Sequence, residues 1–332
     1  MKSERDFEAI AQAFLKYHPE VLASLLIDQT TNSNIIWATD DYAFLGEKYS
    51  FASVITADLI SGDNEGLIKP RVKKILQLQS DRSREMAEVF TPSWVVNLQN
   101  NAVDDGWFGV SARRFNSPRD AGWETNYYPI HFPETGGKSW RDYVQAPQLE
   151  VSCGEAPYLT SRYDAVTGAS IPPKRRIGLL DRKLRVIGEN CLKTDEWMKW
   201  AIEATKSIYG FEWQGDSLLL ARQNIFLTVV EHFYDKFDDL PNSDFMQEIA
   251  RIISWNLWQM DGIKYVIPKS CHDTTLVSYD LVSGEDKFEV FPCPGCSKNN
   301  HSKHNGIYAY IMDWKENKKI RFMDVLGRKK HA

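Results

Sequence analysis

Apolar positions recur at helical spacing from Asp6 to Ile27: Phe7, Ile10, Ala11, Phe14 and Leu15, then Val21, Leu22, Leu25 and Leu26. His18-Pro19 interrupts the run, because proline lacks the helical N–H and clashes with the preceding turn. The pattern predicts a helical arm that packs on the main body. Residues 32–66 are polar and irregular. Thr91-Pro92 reads as a helix start, with Thr91 as cap, Pro92 in the first turn, and Val95 and Val96 entering the apolar face. From Trp107 to Trp140 no period emerges, and an ordered loop region is expected.

Leu149 to Leu159 reads as a short apolar strand running into a turn of small residues. Gly154 and Ala156 let backbone N–H groups come close to a ligand, and in open α/β sheets cofactors of nucleotide type sit past the carboxyl end of such a strand. Taken alone, the turn is also an ordinary strand-to-helix connection. A helix is predicted from Asp195 to Ser207, with Trp197, Trp200, Ala201 and Ala204 at helical spacing. Ser207 to Glu212 then reads as a strand ending in an acid. The helix Ser217–Phe233 follows, with Leu218, Ala221, Ile225 and Val229 on one face. Strand, terminal acid and helix form half of a nucleotide-binding unit, whose carboxylate accepts hydrogen bonds from both ribose hydroxyls. After a helix at Phe245–Ile253, a further apolar run closes on Asp261. The alternation of strands and helices predicts an α/β fold.

Composition narrows the class. The 332 residues include 11 Trp, 14 Tyr and 16 Phe, and 26% are charged, which describes a folded globular chain. No apolar run approaches the roughly 18 residues of a membrane span. The amino terminus lacks the apolar core and cleavage site of a signal peptide. A cytoplasmic protein without membrane association is expected. A net charge of −5 argues against bulk attraction to nucleic acid. Two basic runs, Lys69 to Lys74 and Lys174 to Arg185, are nevertheless candidates for DNA phosphate contact, with Lys174, Arg175 and Arg176 the densest group. Such runs are also commonly solvated helix faces.

Five cysteines are an odd number, and Cys271, Cys293 and Cys296 lie within one short segment. Cys293-Pro294-Gly295-Cys296 has the spacing of a knuckle, in which Pro and Gly fold the loop so that both thiolates face one ion. A tetrahedral structural zinc is expected from Cys271, Cys293, Cys296 and one of His301, His304 or His272, with His304 taken as the fourth ligand. Two reduced thiols in a polar loop are the alternative. No thioredoxin-like context supports a redox role.

The order of these pieces resembles the N6-adenine DNA methyltransferases of restriction-modification systems, the gamma-type M subunits. Phe90, Thr91 and Pro92 resemble the family's opening motif. Glu150 to Leu159 resembles its Asp-Pro-Ala-Cys-Gly-Ser-Gly-x-Phe-Leu turn, with Ala156 in place of the second glycine. Tyr209-Gly210-Phe211-Glu212, with Ala221-Arg222 and Asn224, resembles the ribose-binding stretch. Asn256 to Gly262 resembles the stretch whose acid contacts adenine. The match covers about Lys69 to Gly262, and the whole chain is also similar to short proteins described as restriction endonuclease subunit M.

The resemblance implies a Rossmann-like S-adenosylmethionine-dependent methyltransferase sheet with helices on both faces. An N-terminal helical arm and irregular segment (1–68), a cofactor-binding core (69–268), and a small Cys/His element with C-terminal strands (269–332) would make up the chain. Phe90, Thr91, Pro92, Glu150, Cys153, Gly154, Glu155, Ala156, Glu212 and Asp261 would hold S-adenosylmethionine. The family's Asn/Asp-Pro-Pro-Tyr/Phe tetrapeptide, which holds the flipped adenine, is absent. Pro172-Pro173 stands between Ile171 and Lys174, in the wrong place. Phe288 to Cys296 falls where the tetrapeptide should, beginning like the strand before it and ending in the knuckle. The catalytic residue is therefore unassigned. Either an unrecognised group or a second restriction-modification subunit supplies it, or the chain is a non-catalytic cofactor- or DNA-binding module. A nuclease has little support, since no Pro-Asp…Asp/Glu-x-Lys grouping is found.

Overall fold

The computed structural model describes residues 18–74, 91–109, 114–133, 135–281 and 284–328. Phe90 and the part of the helical arm before His18 lie outside them, whereas the first basic run, Lys69 to Lys74, lies within. Helix α1 (Pro19–Leu26) begins at the proline predicted to interrupt the arm and buries Val21, Leu25 and Leu26. It leads into β1 (Ile27–Asp28), antiparallel to β2 (Ser33–Asn34). The irregular segment beyond is well packed, with Ile35, Trp37 and Ile55 buried.

Helix α2 (Ser93–Phe108) has Pro92 at its N-cap, and no side chain of that residue or of Thr91 caps it. Asp164 takes that role, accepting from the Ser93 N–H at 3.1 Å. The buried face of α2 is polar: Asn97, Asn100, Asn101 and Asp104 are all interior. Within the expected loop region, β3 (Asn116–Arg119) and β4 (Gly122–Thr125) form an antiparallel hairpin. Helix α3 (Trp140–Gln145) starts at a capping box made by Ser139 and Asp142.

Strand β5 (Gln148–Glu150) is followed by α4 (Leu179–Asn190), α5 (Thr194–Lys206), β6 (Ile208–Glu212), α6 (Gly215–Phe237), α7 (Ser243–Asn256) and β7 (Leu257–Gln259). The three strands form one parallel sheet in the order β5-β6-β7. Ile208 and Leu257 join the main core with Leu180, Leu184, Ala204, Leu218 and Ile253 from the surrounding helices. Phe211 and Trp258 instead join Met260, Ala309, Ile311 and Phe322 in a second cluster.

Among the described residues the parallel sheet has these three strands. Phe288 to Phe291 does not add a parallel strand; it belongs to β9 (Glu285–Phe291), paired antiparallel with β8 (Thr274–Asp280). A nearby antiparallel partner needs only a short connection, whereas a parallel one needs a crossover of about a dozen residues. After the short helix α8 (Pro294–Ser297), β10 (Tyr310–Asp313) and β11 (Lys318–Arg321) form a hairpin that leads into α9 (Phe322–Arg328). The tail thus holds two strands joined by a turn. Phe322 packs 5.0 Å from Trp258 and 6.0 Å from Phe211, ring to ring. The architecture is a mixed α/β arrangement of small sheets.

Candidate strand-tip site and metal centre

The acids predicted at the strand tips do fall together along one sheet edge. Glu150 ends β5, Glu212 ends β6, and Asp261 lies two residues past β7. The turn after β5 folds back over β6. Cys153 N–H donates to the Phe211 carbonyl at 2.9 Å, and a Cβ on Gly210 would sit 3.2 Å from the Cys153 sulfur. Ser152, Gly154 and Ala156 all have left-handed backbones, with φ of 50°, 53° and 62°. Two of the three are not glycine, so the turn carries strain. Nothing lies within 4 Å of where a Gly154 Cβ would be.

Each acid is engaged by backbone. Glu150 accepts from the N–H of Tyr158 (3.3 Å) and Leu159 (3.2 Å). Burial pushes its carboxyl up to about 8; those two N–H groups pull it down, and the neighbouring Glu212 adds to the rise. Glu212 accepts from Gly154 N–H at 2.8 Å on one oxygen, and from Trp213 (2.9 Å) and Gln214 (3.3 Å) on the other. Burial raises its pKa too, against the pull of these N–H groups. Cys153 is buried between the two, which drives its thiol well above the ordinary range. Asp261 accepts from Ile263 (2.8 Å) and Lys264 (3.0 Å).

The remaining predicted cofactor residues are less uniform. Ala156 is buried within the turn. Glu155 is also buried, and it accepts from the N–H of Arg71 and from the Tyr163 hydroxyl instead of meeting the other acids. Thr91 and Pro92 sit at the start of α2, a start tied to Asp164. Among the described residues no hydrogen bond joins Thr91 to Glu150, Glu212 or Asp261. Helix α2 does reach the turn further along, where Asn100 donates to the carbonyls of Tyr158 and Ile177, both at 3.0 Å. A cavity of about 720 Å³ lies elsewhere, lined by Lys73, Arg162, Tyr163, Arg176, Leu219 and Asn224 among others; no strand-tip acid lines it.

Much of the basic run Lys174 to Arg185 is interior and not the DNA-facing surface expected of it. Arg176 is buried and pairs with Glu231 at 2.5 Å. Arg182 is buried against Asp104, Asn97 and Asn101. Lys183 is buried with Ser207 Oγ at 2.5 Å and the Ala146 carbonyl at 2.5 Å, and burial lowers its pKa to about 7. These cations hold the interior together and do not face solvent. Lys174 and Arg175 alone of the predicted phosphate group are exposed. In the first run, Lys74 is also buried, against Asp216 at 3.2 Å.

The Cys/His cluster assembles as predicted. The donor atoms of Cys271, Cys293, Cys296 and His304 all lie within 4.8 Å of one another. Cys271 Sγ is 3.3 Å from Cys293, 3.6 Å from Cys296 and 3.5 Å from His304 Nδ1. Nδ1 is also 3.7 Å from each of the other two sulfurs. A tetrahedral ion with metal–sulfur and metal–nitrogen bonds of ordinary length sets such edges at roughly 3.5–3.8 Å. The cluster can hold a metal ion.

Surrounding groups set its shape. Asp273 accepts from Cys293 N–H at 2.8 Å, and Asn305 N–H points at the Cys293 sulfur at 3.4 Å. Burial raises the Cys293 thiol, but the N–H groups of Asn305 and Cys296 and the side chains of Cys271 and His304 bring it down to about 6. Gly295 is obligatory here: a Cβ would lie 2.5 Å from His304 Nδ1. His301 turns to Tyr265, ring centroids 5.6 Å apart, and His272 binds the Ser270 carbonyl at 3.0 Å. Compared with known protein families, with curated proteins and with solved structures, the chain matches none. Among the described residues no helix is long and apolar enough to cross a membrane.

Proposed function

We propose that the strand-tip edge binds the adenosyl part of S-adenosylmethionine, and that the chain is a DNA adenine-N6 methyltransferase-like subunit of a restriction-modification or related defence system. The observation that supports this reading is the hydrogen bond from Gly154 N–H to Glu212. It holds the acid ending one parallel strand beside the turn after its neighbour, the two places from which a nucleotide-binding edge contacts its ligand. Glu212 Oε2 accepts only this bond among the described residues, which leaves it a second acceptor site for a ribose hydroxyl. Glu150 and Asp261 would shape the floor and the adenine side. When bound, the cofactor would supply the transferable methyl group. With the Pro-Pro tetrapeptide missing, the catalytic carboxamide or carboxylate would come from another group of this chain or from a partner subunit. In the cluster we infer zinc, the ion that three thiolates and an imidazole favour.

A second reading, a module without chemistry that binds DNA or bridges partners, is favoured by one observation: all three acids already satisfy their own turns. Calorimetry with S-adenosylmethionine separates the two. Heat that disappears in Glu212→Ala is expected; no heat at millimolar cofactor discards the first reading. Tritiated-methyl transfer to unmethylated duplex DNA, with and without the neighbouring gene product, then tests for the partner.

A further inference from the structure

Tyr127 and Tyr128 are consecutive, and they are 68% and 80% exposed. A single exposed aromatic is ordinary on a protein surface. Two in succession are held here in a defined place by the backbone. Arg185 donates to the Tyr128 carbonyl at 2.9 Å, and Tyr128 N–H donates to the Asn126 side chain at 3.0 Å. Trp123, on the preceding strand, donates its indole N–H to the Arg175 carbonyl at 2.9 Å. That bond brings the β3–β4 hairpin against residues 173–175. Tyr127 and Lys174 consequently line the same groove, of about 290 Å³, together with Arg185 and Lys236.

Charge on this surface is unevenly committed. Arg176 and Arg182 are consumed by buried carboxylates, and Arg185 pairs with Glu189 at 2.8 Å. Arg119 is paired with Glu124. Lys174 and Arg175 are exposed, and among the described residues neither side chain has an ion-pair or hydrogen-bond partner. Of these two uncommitted cations, Lys174 shares the groove with Tyr127, and Arg175 follows it in the chain, its carbonyl bonded to Trp123 of the hairpin. Two carboxylates, Glu189 and Asp235, also line the groove, the first of them already paired with Arg185.

Exposed aromatic faces next to unpaired cations match one ligand chemistry closely: unpaired nucleobases that stack on the rings, with phosphates reaching the Lys and Arg. A duplex hides its base faces and would use only the charges. We propose that Tyr127, Tyr128, Lys174 and Arg175 form a stacking platform for single-stranded nucleic acid. The proposal extends the nucleic-acid side of the reading above and stands whether or not the strand tips bind S-adenosylmethionine.

Fluorescence anisotropy of the full chain with labelled oligothymidine, oligouridine and a duplex tests it, the first two arms separating DNA from RNA. Tighter binding of a single strand than of the duplex is expected. Tyr127→Ala/Tyr128→Ala should weaken single-strand binding roughly tenfold or more with an unchanged melting temperature, and Tyr127→Phe/Tyr128→Phe should restore it. Lys174→Ala/Arg175→Ala should lower the slope of log affinity against log salt by roughly one. Parent-like binding by the double alanine tyrosine variant would overturn the platform, as would duplex binding at least as tight as single-strand binding. Displacement by polyglutamate as effective as by unlabelled strand would overturn it too, marking a site for an acidic protein. Calorimetry on the same variants keeps the cofactor question apart: oligonucleotide binding without cofactor heat fails only the cofactor reading.

Discussion

Glu212, at the end of the second parallel strand, accepts a hydrogen bond from the backbone N–H of Gly154, in the turn after the first, at 2.8 Å. Its other oxygen accepts from Trp213 and Gln214. A glutamine at this position keeps one accepting oxygen, so one side of the arrangement must lose its acceptor. Glu212→Gln should therefore destabilise the chain by about 1–3 kcal/mol, read as a lower urea midpoint with unchanged slope. A parent-like midpoint would show that the acid does not tie the two strands together.

Glu150 makes stability depend on pH. Its carboxyl is raised to about 8 by burial, above the ordinary glutamate value. Between the unfolded value and 8 the folded state holds a proton that the unfolded state has released, so stability is greatest at the acid end of this window and falls as pH rises through it. The limiting slope for one proton is about 1.4 kcal/mol per pH unit. Urea titrations between pH 5 and pH 8 should show the decline, and Glu150→Gln should flatten it. An identical decline in that variant would assign it to other groups.

Arg182 and Asp104 are separated by 78 residues in sequence and meet in the interior, with Asn97 and Asn101 accepting from the same guanidinium at 2.9 and 2.8 Å. Removing the cation leaves a buried carboxylate without its partner. Arg182→Ala should cost about 3–5 kcal/mol, whereas Lys174→Ala, on an exposed side chain, should leave stability within about 0.5 kcal/mol of the parent. Thermal melts of the two variants check the contrast. Equal melting temperatures would return Arg182 to the surface.

That pair also shows where the sequence was legible and where it was not. The strand end at Glu212, and Asp261 just past the next strand, could be read because an apolar run closing on an acid is a local pattern, whereas Glu150 was placed by the resemblance of its turn. The knuckle could be read because Cys293 and Cys296 sit at ligand spacing. A basic run carries no such local mark: Arg176, Arg182 and Lys183 find their partners at Glu231, Asp104 and Ser207, positions that only folding brings near. The hairpin β8–β9 was misjudged for a related reason, since an apolar strand does not state which partner it will take. Among three candidate histidines, Tyr265 and Ser270 engage the other two and leave His304 to the cysteines.

Gly295 tests the geometry of the metal centre without altering a ligand. A methyl group there would meet His304 Nδ1 at 2.5 Å and the His304 backbone nitrogen at 2.7 Å. Those contacts leave no room, so the imidazole must move off the three sulfurs. Gly295→Ala should weaken zinc binding roughly 10- to 100-fold, the range seen when groups supporting ligands are changed. Competition with a colorimetric chelator measures it. Parent affinity in this variant would place the ion, if bound, away from His304.

Metal removal should be felt most in the hairpin β8–β9. Its described side chains are exposed, including Val277, Phe288 and Val290, and an isolated two-stranded hairpin is marginal in water. Cys271 precedes one strand and Cys293 follows the other, so an ion shared by them closes the base of the hairpin. Chelation removes that closure, while the main core of α4 to α7 and the parallel sheet contains none of the four ligands. Trypsin should then cut at Lys287 at least several-fold faster after chelation, with the far-ultraviolet circular dichroism of the helices little changed. Re-addition of zinc should restore protection. Cleavage at the same rate in both states would mean that the cluster does not clamp the hairpin, whatever else it binds.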